Sequence, residues 1–138
     1  VDDRPVTGLP TWQICRSVAY LTQNPNLLLF AESVREELRA TLRNHGWPRE
    51  GQDAAIARAL RELGLEGHAA RHPRDLSTGE RQRVAFGAVT VTAPGVALLD
   101  EPTRGMDAAA KAGLAALLRA WKSVPTCWLH CTAMSGGR

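Results

Sequence analysis

The fold of this chain follows from the stretch Val96-Ala97-Leu98-Leu99-Asp100-Glu101-Pro102-Thr103. Its first four residues form a continuous apolar run, which predicts a strand of a parallel sheet that is covered on both faces. Ligands of open α/β sheets bind beyond the carboxyl ends of the strands, and Asp100 and Glu101 lie there. Asp100 can hold a hydrated Mg²⁺, and Glu101 can orient or deprotonate a water molecule. The alternative is that the two acidic residues only terminate a hydrophobic strand.

A second informative stretch, Leu76-Ser77-Thr78-Gly79-Glu80, opens a predicted helix. Ser77 followed three residues later by Glu80 is a capping box, which stabilises such a helix by about 1 kcal/mol. The same geometry can hold a phosphate, because the amide of Gly79 is free at the helix amino terminus and the hydroxyl of Ser77 is a further hydrogen-bond donor there. Taken alone, the stretch is explained by the cap.

The remaining pattern places these two stretches in an α/β framework. Residues 17–23 alternate and are rich in strand formers, and the apolar spacing of later segments predicts amphipathic helices. The predicted elements are a strand over 17–23, helices over 32–43, 53–63, 77–90 and 107–121, the strand 96–99 and a last strand over 126–132. The middle is therefore all helical, and the carboxy-terminal half is a strand–helix–strand unit with a parallel sheet.

Length, charge and cysteine content exclude several classes of protein. The chain has 138 residues, 44% apolar and 22% charged, and a formal net charge of +3. This is enough for one modest domain and too little for two. The positive charge is spread thinly, so no nucleic-acid partner is predicted. The three cysteines form no even framework, which is typical of a reducing compartment, and no apolar run reaches the roughly 18 residues of a membrane helix.

Taken together, the two stretches resemble the ATP-binding-cassette (ABC) ATPases, in which the first is the signature motif and the second is the Walker B strand running into the D-loop. Gln23, at the end of a strand, resembles the Q-loop glutamine of that family. The run 100–107 looks like that of the ATPases of energy-coupling-factor and cobalt-type importers. The similarity covers roughly residues 1–120.

The resemblance implies a partial P-loop NTPase fold of the α/β class, with a parallel sheet core and an α-helical subdomain. Residues 1–23 would form the Q-loop strand region and residues 24–85 the helical subdomain with the signature motif. Residues 86–138 would supply the Walker B strand, the D-loop and the last strand of the core.

The resemblance also implies a magnesium-dependent reaction with ATP. Asp100 would bind Mg²⁺ through water, and Glu101 would be the catalytic base for attack on the γ-phosphate. Gln23 would contact the metal and sense the attacking water. Charge stabilisation by a metal and by positioned donors is what phosphoryl transfer requires.

A second ATPase subunit, identical or different, is implied by the remaining site residues. Ser77, Gly79 and Glu80 belong to the stretch that would contact the γ-phosphate of ATP held by the opposite subunit. Asp107 would be the D-loop aspartate at the interface between the two subunits. These four residues complete the predicted nucleotide-binding set.

The resemblance implies an ATPase that drives import through a transmembrane permease subunit and lies peripherally on the cytoplasmic face of the cell membrane. Three charged residues on the helix after Gln23 are candidates for contact with the permease: Arg35, Glu36 and Glu37. ABC-type ATPases of DNA repair and chromosome maintenance are the alternative. They insert a long coiled coil or a zinc module before the signature motif, whereas residues 24–75 here contain no sustained heptads.

Four features depart from the family pattern, and the smallest is Met106 where the D-loop usually has leucine, a volume-conserving change of little consequence. The chain contains no G-x-x-x-x-G-K-[ST] loop, so it is expected to be truncated before the P-loop and inactive alone, or else to be a non-hydrolysing fragment. Thr78 stands where the signature motif has glycine, a change we expect to be tolerated. Ala133 stands in the place of the switch histidine, and His130 lies three residues early.

Two groups of residues have side chains that can bind metal, but neither is expected to form a metal site. His68 and His72 are four residues apart but lack further ligands, so solvent-exposed histidines are expected. Cys127 and Cys131 would lie on the opposite face of a strand from His130, which disfavours a zinc site.

Overall fold

A computed structural model describes residues 7–103 and 106–121 of the chain. Five α-helices and two strands make up the described part. In chain order they are α1 (Thr11–Ser17), β1 (Val18–Leu21), α2 (Val34–Asn44), α3 (Arg49–Leu63), α4 (Thr78–Thr90), β2 (Val96–Leu99) and α5 (Ala108–Trp121). Short 3₁₀ turns occupy Pro25–Leu28, Glu66–His68 and Pro73–Asp75.

The two strands pair in parallel, as the apolar run of β2 predicts. Val18 lies opposite Val96 and Leu21 lies opposite Leu99, so both strands end at the same edge of the sheet. The backbone N–H of Asp100 donates to the carbonyl oxygen of Leu21 at 3.0 Å, which extends this pairing one residue past β2. The register therefore fixes where the residues that follow each strand are placed.

One face of the sheet is packed against α4. Ala19, Leu21, Ala97 and Leu99 are buried in a core that also contains apolar residues of α2, α3 and α4. On the other face, Leu98 is 40% exposed among the described residues. Val96, on the same face as Leu98, is buried, so within the described part this second face of β2 is partly covered, while α4 covers the face that carries the buried alternate residues.

The two helices of the middle segment are positioned by their ends. Ser33 begins α2, since its side chain accepts a hydrogen bond from the N–H of Glu36. The sequence predicts that Gly64 closes α3, and this is confirmed, because Gly64 has a left-handed φ of 63° that a glycine adopts without strain. The buried faces of both helices belong to the core with α4. They contribute Val34, Leu38 and Leu42 from α2, and Ile56, Leu60 and Leu63 from α3.

The boundaries of several elements differ from the predictions. The predicted strand 17–23 is only Val18–Leu21, because the preceding residues form α1 after Pro10. Helix α3 begins at Arg49 rather than residue 53, since Pro48 stands at its N-cap and its fixed φ suits a helix start. The predicted strand 126–132 lies outside the described residues.

No helix in the described part of the chain is both long enough and apolar enough to cross a membrane.

Candidate active site

The end of the sheet brings three of the predicted site residues together. Gln23 follows β1 by two residues, while Asp100 and Glu101 follow β2 directly. The side-chain amide Nε2 of Gln23 donates a hydrogen bond to Oε2 of Glu101, although the two residues are 78 positions apart. Because the strands are parallel and in register, a residue from each strand end reaches the same point.

Glu101 has an unusual backbone conformation. Its φ of 43° lies in the left-handed region, which a residue with a Cβ atom adopts at a cost of about 1–2 kcal/mol. Asp100 beside it is half-buried, as is Glu101 itself, and Pro102 after it is buried. The fold therefore holds the Glu101 carboxylate at the sheet edge in spite of local strain, and such strain is concentrated at functional sites.

Tyr20 is a site residue that the sequence analysis missed. Its hydroxyl donates a hydrogen bond of 3.2 Å to Oδ2 of Asp100. That hydrogen bond, followed by desolvation and the carboxylate charge, raises the pKa of Tyr20 above its usual value. Alternation places Tyr20 on the face of the sheet that carries Leu98 and Asp100. The alternation along β1 can be read from the sequence, but the contact between Tyr20 and Asp100 follows only when the register between β1 and β2 is known.

The start of α4 contains the predicted capping box. Oε2 of Glu80 accepts hydrogen bonds from the N–H of Ser77 at 2.8 Å and from its hydroxyl at 2.7 Å. In return, the N–H of Glu80 donates to Oγ of Ser77 at 3.3 Å. These hydrogen bonds from Ser77 are the main reason why the pKa of Glu80 is lowered, and the nearby His68 and Arg83 lower it further. The cap is confirmed.

Gly79 has a packing role that the sequence analysis did not predict. A Cβ atom on Gly79 would lie 2.9 Å from the Cβ of Ala110 in α5, closer than real Cβ contacts allow. The absence of a side chain at this position thus lets the starts of α4 and α5 approach each other. Packing alone accounts for a glycine at position 79.

Asp107 begins α5. Its Oδ1 accepts a hydrogen bond of 2.8 Å from the N–H of Ala110, which is the usual geometry of an aspartate at a helix start. Asp107 itself is exposed. Ala110 in turn lies against Gly79, so the helix that Asp107 begins packs against the start of the helix that carries the predicted signature residues.

The charged residues at the start of α2 differ from the prediction that they form one exposed surface. Glu37 is buried, with 6% exposure, and its Oε2 accepts hydrogen bonds from the N–H groups of Phe30 and Ala31 at 2.7 and 2.8 Å. Glu36 pairs instead with Arg39 of the same helix. Glu37 therefore fixes the segment between Gln23 and α2 and is not available on the surface.

The candidate metal-binding histidines do not share a helix face. His68 ends one 3₁₀ turn and His72 precedes another, where its Nδ1 accepts a hydrogen bond from the N–H of Arg74. Both side chains are half-buried rather than exposed as predicted. Within residues 7–103 and 106–121, no group of three His, Cys, Asp or Glu side chains is arranged to hold a metal. Cys127, His130, Cys131 and Ala133 lie outside the described residues.

Comparison with known proteins identifies the family. The model of the ABC transporter family matches residues 1–104. The nickel import ATP-binding protein NikO of Rhodobacter capsulatus is 44% identical over 103 residues, which cover 75% of this chain and 41% of that protein. The energy-coupling factor transporter ATP-binding protein EcfA of Methanothermobacter thermautotrophicus is 34% identical over 106 residues, or 77% of this chain and 34% of that protein.

A solved structure shares the fold. The structure of cbiO1 from Clostridium perfringens, described as part of the ABC transporter complex cbiONQ, matches with a TM-score of 0.83 at 27% identity. The match covers 93% of this chain and 52% of that chain, which confirms the predicted partial P-loop NTPase fold. The chain spans less than half the length of the two curated relatives named above. Because the family model covers most of the sequence and the fold agrees with it, this chain belongs to the ABC transporter family.

Proposed function

We propose that the chain is part of the ATP-binding and ATP-hydrolysing subunit of an importer of the energy-coupling-factor type. The observation that carries this proposal is the contact between Gln23 and Glu101 at the carboxyl end of a parallel sheet, next to Asp100. The membership of the chain in the ABC transporter family supports ATP as the substrate. Residues 24–85 form the helical subdomain in this proposal, and residues 1–23 and 86–138 contribute to the core.

The chemistry of the sheet edge fits magnesium. Mg²⁺ is usually held by one or two carboxylates, water and the phosphates of the substrate, and it does not require a cage of protein ligands. The carboxylate of Asp100 and the amide oxygen of Gln23 are oxygen donors of the required kind, and the metal would neutralise charge on the phosphates. Tyr20 donates to Oδ2 of Asp100 and so orients the carboxylate that would hold the metal through water.

Glu101 is the proposed catalytic base. Its carboxylate accepts a hydrogen bond from Gln23, and it can take a proton from a water molecule that attacks the γ-phosphate. Gln23 contributes in two ways, because its Nε2 holds Glu101 while its Oε1 can orient the water or the metal. Gln23 also begins the segment that Glu37 fixes at Phe30 and Ala31, so movement of α2 would reach the catalytic carboxylate.

A second ATPase subunit completes the proposed site. Ser77, Gly79 and Glu80 lie at the start of α4, where the amide groups of a helix favour an anion. In this proposal they contact the γ-phosphate of ATP bound to the opposite subunit, and Asp107 lies at the same interface. The hydroxyl of Ser77 donates to Glu80 in the structure, so it must rotate in order to donate to a phosphate.

The proposed membrane partner is a transmembrane permease subunit, and the ATPase would lie peripherally on the cytoplasmic face of the membrane. NikO is named as a nickel import protein and EcfA as an energy-coupling factor protein, which supports this assignment. The segment after Gln23 exposes Leu27 and Phe30, the latter by 82%. With its backbone fixed by Glu37, this apolar surface is a better candidate for permease contact than the charged residues of α2.

The test is the substitution Glu101→Gln in the natural protein expressed from its complete gene. We expect the rate of ATP hydrolysis to fall by about 100-fold or more, because a general base contributes 10²–10⁴-fold. Binding of ATP should remain, since the amide keeps the shape of the side chain. The matched control is Glu66→Gln, an exposed glutamate in a 3₁₀ turn, which should hydrolyse ATP at the unchanged rate. Absence of hydrolysis by the unsubstituted protein, or full activity of Glu101→Gln, would refute the proposal.

A further inference from the structure

His68 contacts the signature stretch from outside it. This residue ends the 3₁₀ turn that follows α3, and its Nε2 lies 3.0 Å from Oε1 of Glu80. The two side chains are 27% and 22% exposed, so the contact is partly shielded from water. Partial burial strengthens a hydrogen-bonded pair of this kind relative to one on the open surface.

The two oxygens of Glu80 have different partners. Oε1 faces His68, while Oε2 accepts both hydrogen bonds from Ser77. A glutamate side chain that is held at only one oxygen can rotate about its last torsion, which is broad. With both oxygens occupied, the plane of the carboxylate is fixed, and the backbone N–H of Ser77 that donates to Oε2 is fixed with it.

Backbone hydrogen bonds hold the turn that carries His68, and the segment after it, in place. The N–H of His68 donates to the carbonyl oxygen of Leu65, a fully buried residue, at 2.9 Å. The segment after it is held at the start of α2, where the N–H of Val34 donates to Arg71 and the N–H of Arg35 donates to Ala69. His68 thus links the start of α2 to the start of α4.

We propose that His68 is a positioning residue for the signature serine: it holds Glu80, and Glu80 in turn fixes the backbone of Ser77 through the N–H of that residue. This inference rests on the proposed function, because it concerns the residue that would face the γ-phosphate. The lowered pKa of Glu80, to which both Ser77 and His68 contribute, is consistent with this chain of contacts. His68 does not touch ATP and is not a catalytic residue.

The experiment compares His68→Ala with His68→Gln in the natural protein. His68→Ala removes the contact, and we expect kcat for ATP hydrolysis to fall about five-fold while KM for ATP changes less than about two-fold. The reason for this split is that Ser77 acts on ATP held mainly by the opposite subunit. His68→Gln retains a hydrogen-bonding group and should restore at least about half of kcat. His45→Ala, at the C-cap of α2, is the matched control and should leave both constants unchanged.

A second measurement does not depend on hydrolysis. Titration of the Glu80 carboxyl carbon by NMR should show a higher pKa in His68→Ala than in the unsubstituted protein, because one of the contacts that lowers the pKa is lost. If His68→Ala does not fold, His68→Phe replaces it, since phenylalanine fills the space without hydrogen bonding. Failure of both to fold would make His68 a stability residue and overturn the inference.

The remaining outcomes separate the two proposals. An active natural protein whose kcat is unchanged in His68→Ala, or is as low in His68→Gln as in His68→Ala, overturns the role of His68 alone. A natural protein that hydrolyses no ATP refutes the proposed function and, with it, the positioning role. In that case an unchanged pKa of Glu80 would show that the contact itself is also absent in solution.

Discussion

The residues proposed to bind nucleotide lie in two places, the start of α4 and the end of the sheet. Local structure explains the geometry at the first place but not at the second. At the start of α4, Ser77 and Glu80 satisfy each other in a capping box, and Gly79 is required by the approach of α5. At the end of the sheet, Gln23 and Glu101 meet across 78 positions, and Glu101 adopts a left-handed backbone conformation. A helix start would favour the first arrangement without any ligand, whereas no such local preference favours the second.

The two places therefore differ in how strongly they support a functional interpretation. The capping box is expected wherever Ser-x-x-Glu opens a helix, so its presence adds little to a functional interpretation. A strained carboxylate held by a distant glutamine requires the surrounding fold to maintain it, and such arrangements are concentrated at functional sites. For this reason the proposed function rests on Gln23 and Glu101, and Ser77 enters only through the family.

The largest expected effect on stability is that of Gly79→Ala. The new Cβ would lie 2.9 Å from the Cβ of Ala110, and both atoms are fixed to helix backbones, so the helices must shift. Overpacking of this kind costs about 1–3 kcal/mol, and we expect the free energy of unfolding in urea to fall by about 2 kcal/mol. This would establish packing as a sufficient reason for the glycine.

The control for this prediction is Gly113→Ala in α5. A Cβ atom there would meet nothing within 4 Å, so the substitution should stabilise the protein by about 0.5–1 kcal/mol. Combining Gly79→Ala with Ala110→Gly should recover part of the loss, since the two methyl groups no longer meet. If Gly79→Ala is as stable as the unsubstituted protein, the start of α4 is more open than the structure indicates.

A smaller effect, of the opposite sign, is expected at the sheet edge. Glu101→Gly should be more stable than Glu101→Ala by about 1 kcal/mol, because only glycine adopts the left-handed φ without strain. Neither variant should hydrolyse ATP, since both lack the proposed base. Comparing glycine with alanine at one position, by unfolding in urea, isolates the contribution of backbone strain to the free energy of unfolding.

Two positions near the other end of β2 serve as controls. Ala93 also has a left-handed φ, of 54°, so Ala93→Gly should stabilise the protein by about 1 kcal/mol and leave hydrolysis unchanged. Thr92 beside it has no positive φ, and there Gly should be less stable than Ala. An Ala variant at position 101 that equals or exceeds the Gly variant would argue against strain at Glu101.

The sequence predicts the elements of this fold better than their ends. Strand β2 is found over the predicted residues, because Pro94-Gly95 and Asp100 bound its short apolar run and so define both ends of the strand. Helix α1 was not predicted, since its seven residues directly adjoin a strand and carry no clear apolar period. The predicted start of α3 lies four residues late, because Gly51 in the first turn is a poor helix former and masks the helix start after Pro48.

Contacts within the site were predictable only where they are local. The capping box spans three positions and can be read from spacing. The hydrogen bond from Tyr20 to Asp100 and the contact between His68 and Glu80 join distant segments, so they depend on strand register and helix packing. The resemblance to a family assigns Gln23 and Glu101 to one nucleotide site, but their direct hydrogen bond is seen only in the structure.

The smallest predicted effect concerns the dependence of stability on pH at the start of α4. Folding lowers the pKa of Glu80 below its ordinary value of 4.5, mainly through the hydrogen bonds from Ser77. The unfolded state therefore binds the proton more tightly, and the stability due to Glu80 is fully present above that ordinary value. It is lost as the pH falls through the lower value of the folded state. Glu80→Gln cannot titrate, so the difference in unfolding free energy between it and the unsubstituted protein should shrink from about pH 6 to about pH 3.5.

The same measurement in a Ser77→Ala background distinguishes the cap from the other contacts of Glu80. Ser77 is the first cause of the lowered pKa, and His68 and Arg83 contribute less. The change with pH should therefore be smaller when Ser77 is replaced, and what remains should reflect the contacts with His68 and Arg83. A difference that stays constant on acidification would mean that Glu80 titrates alike in the folded and unfolded states. The start of α4 would then be open in solution, and its serine hydroxyl would be available to a phosphate without first leaving the cap.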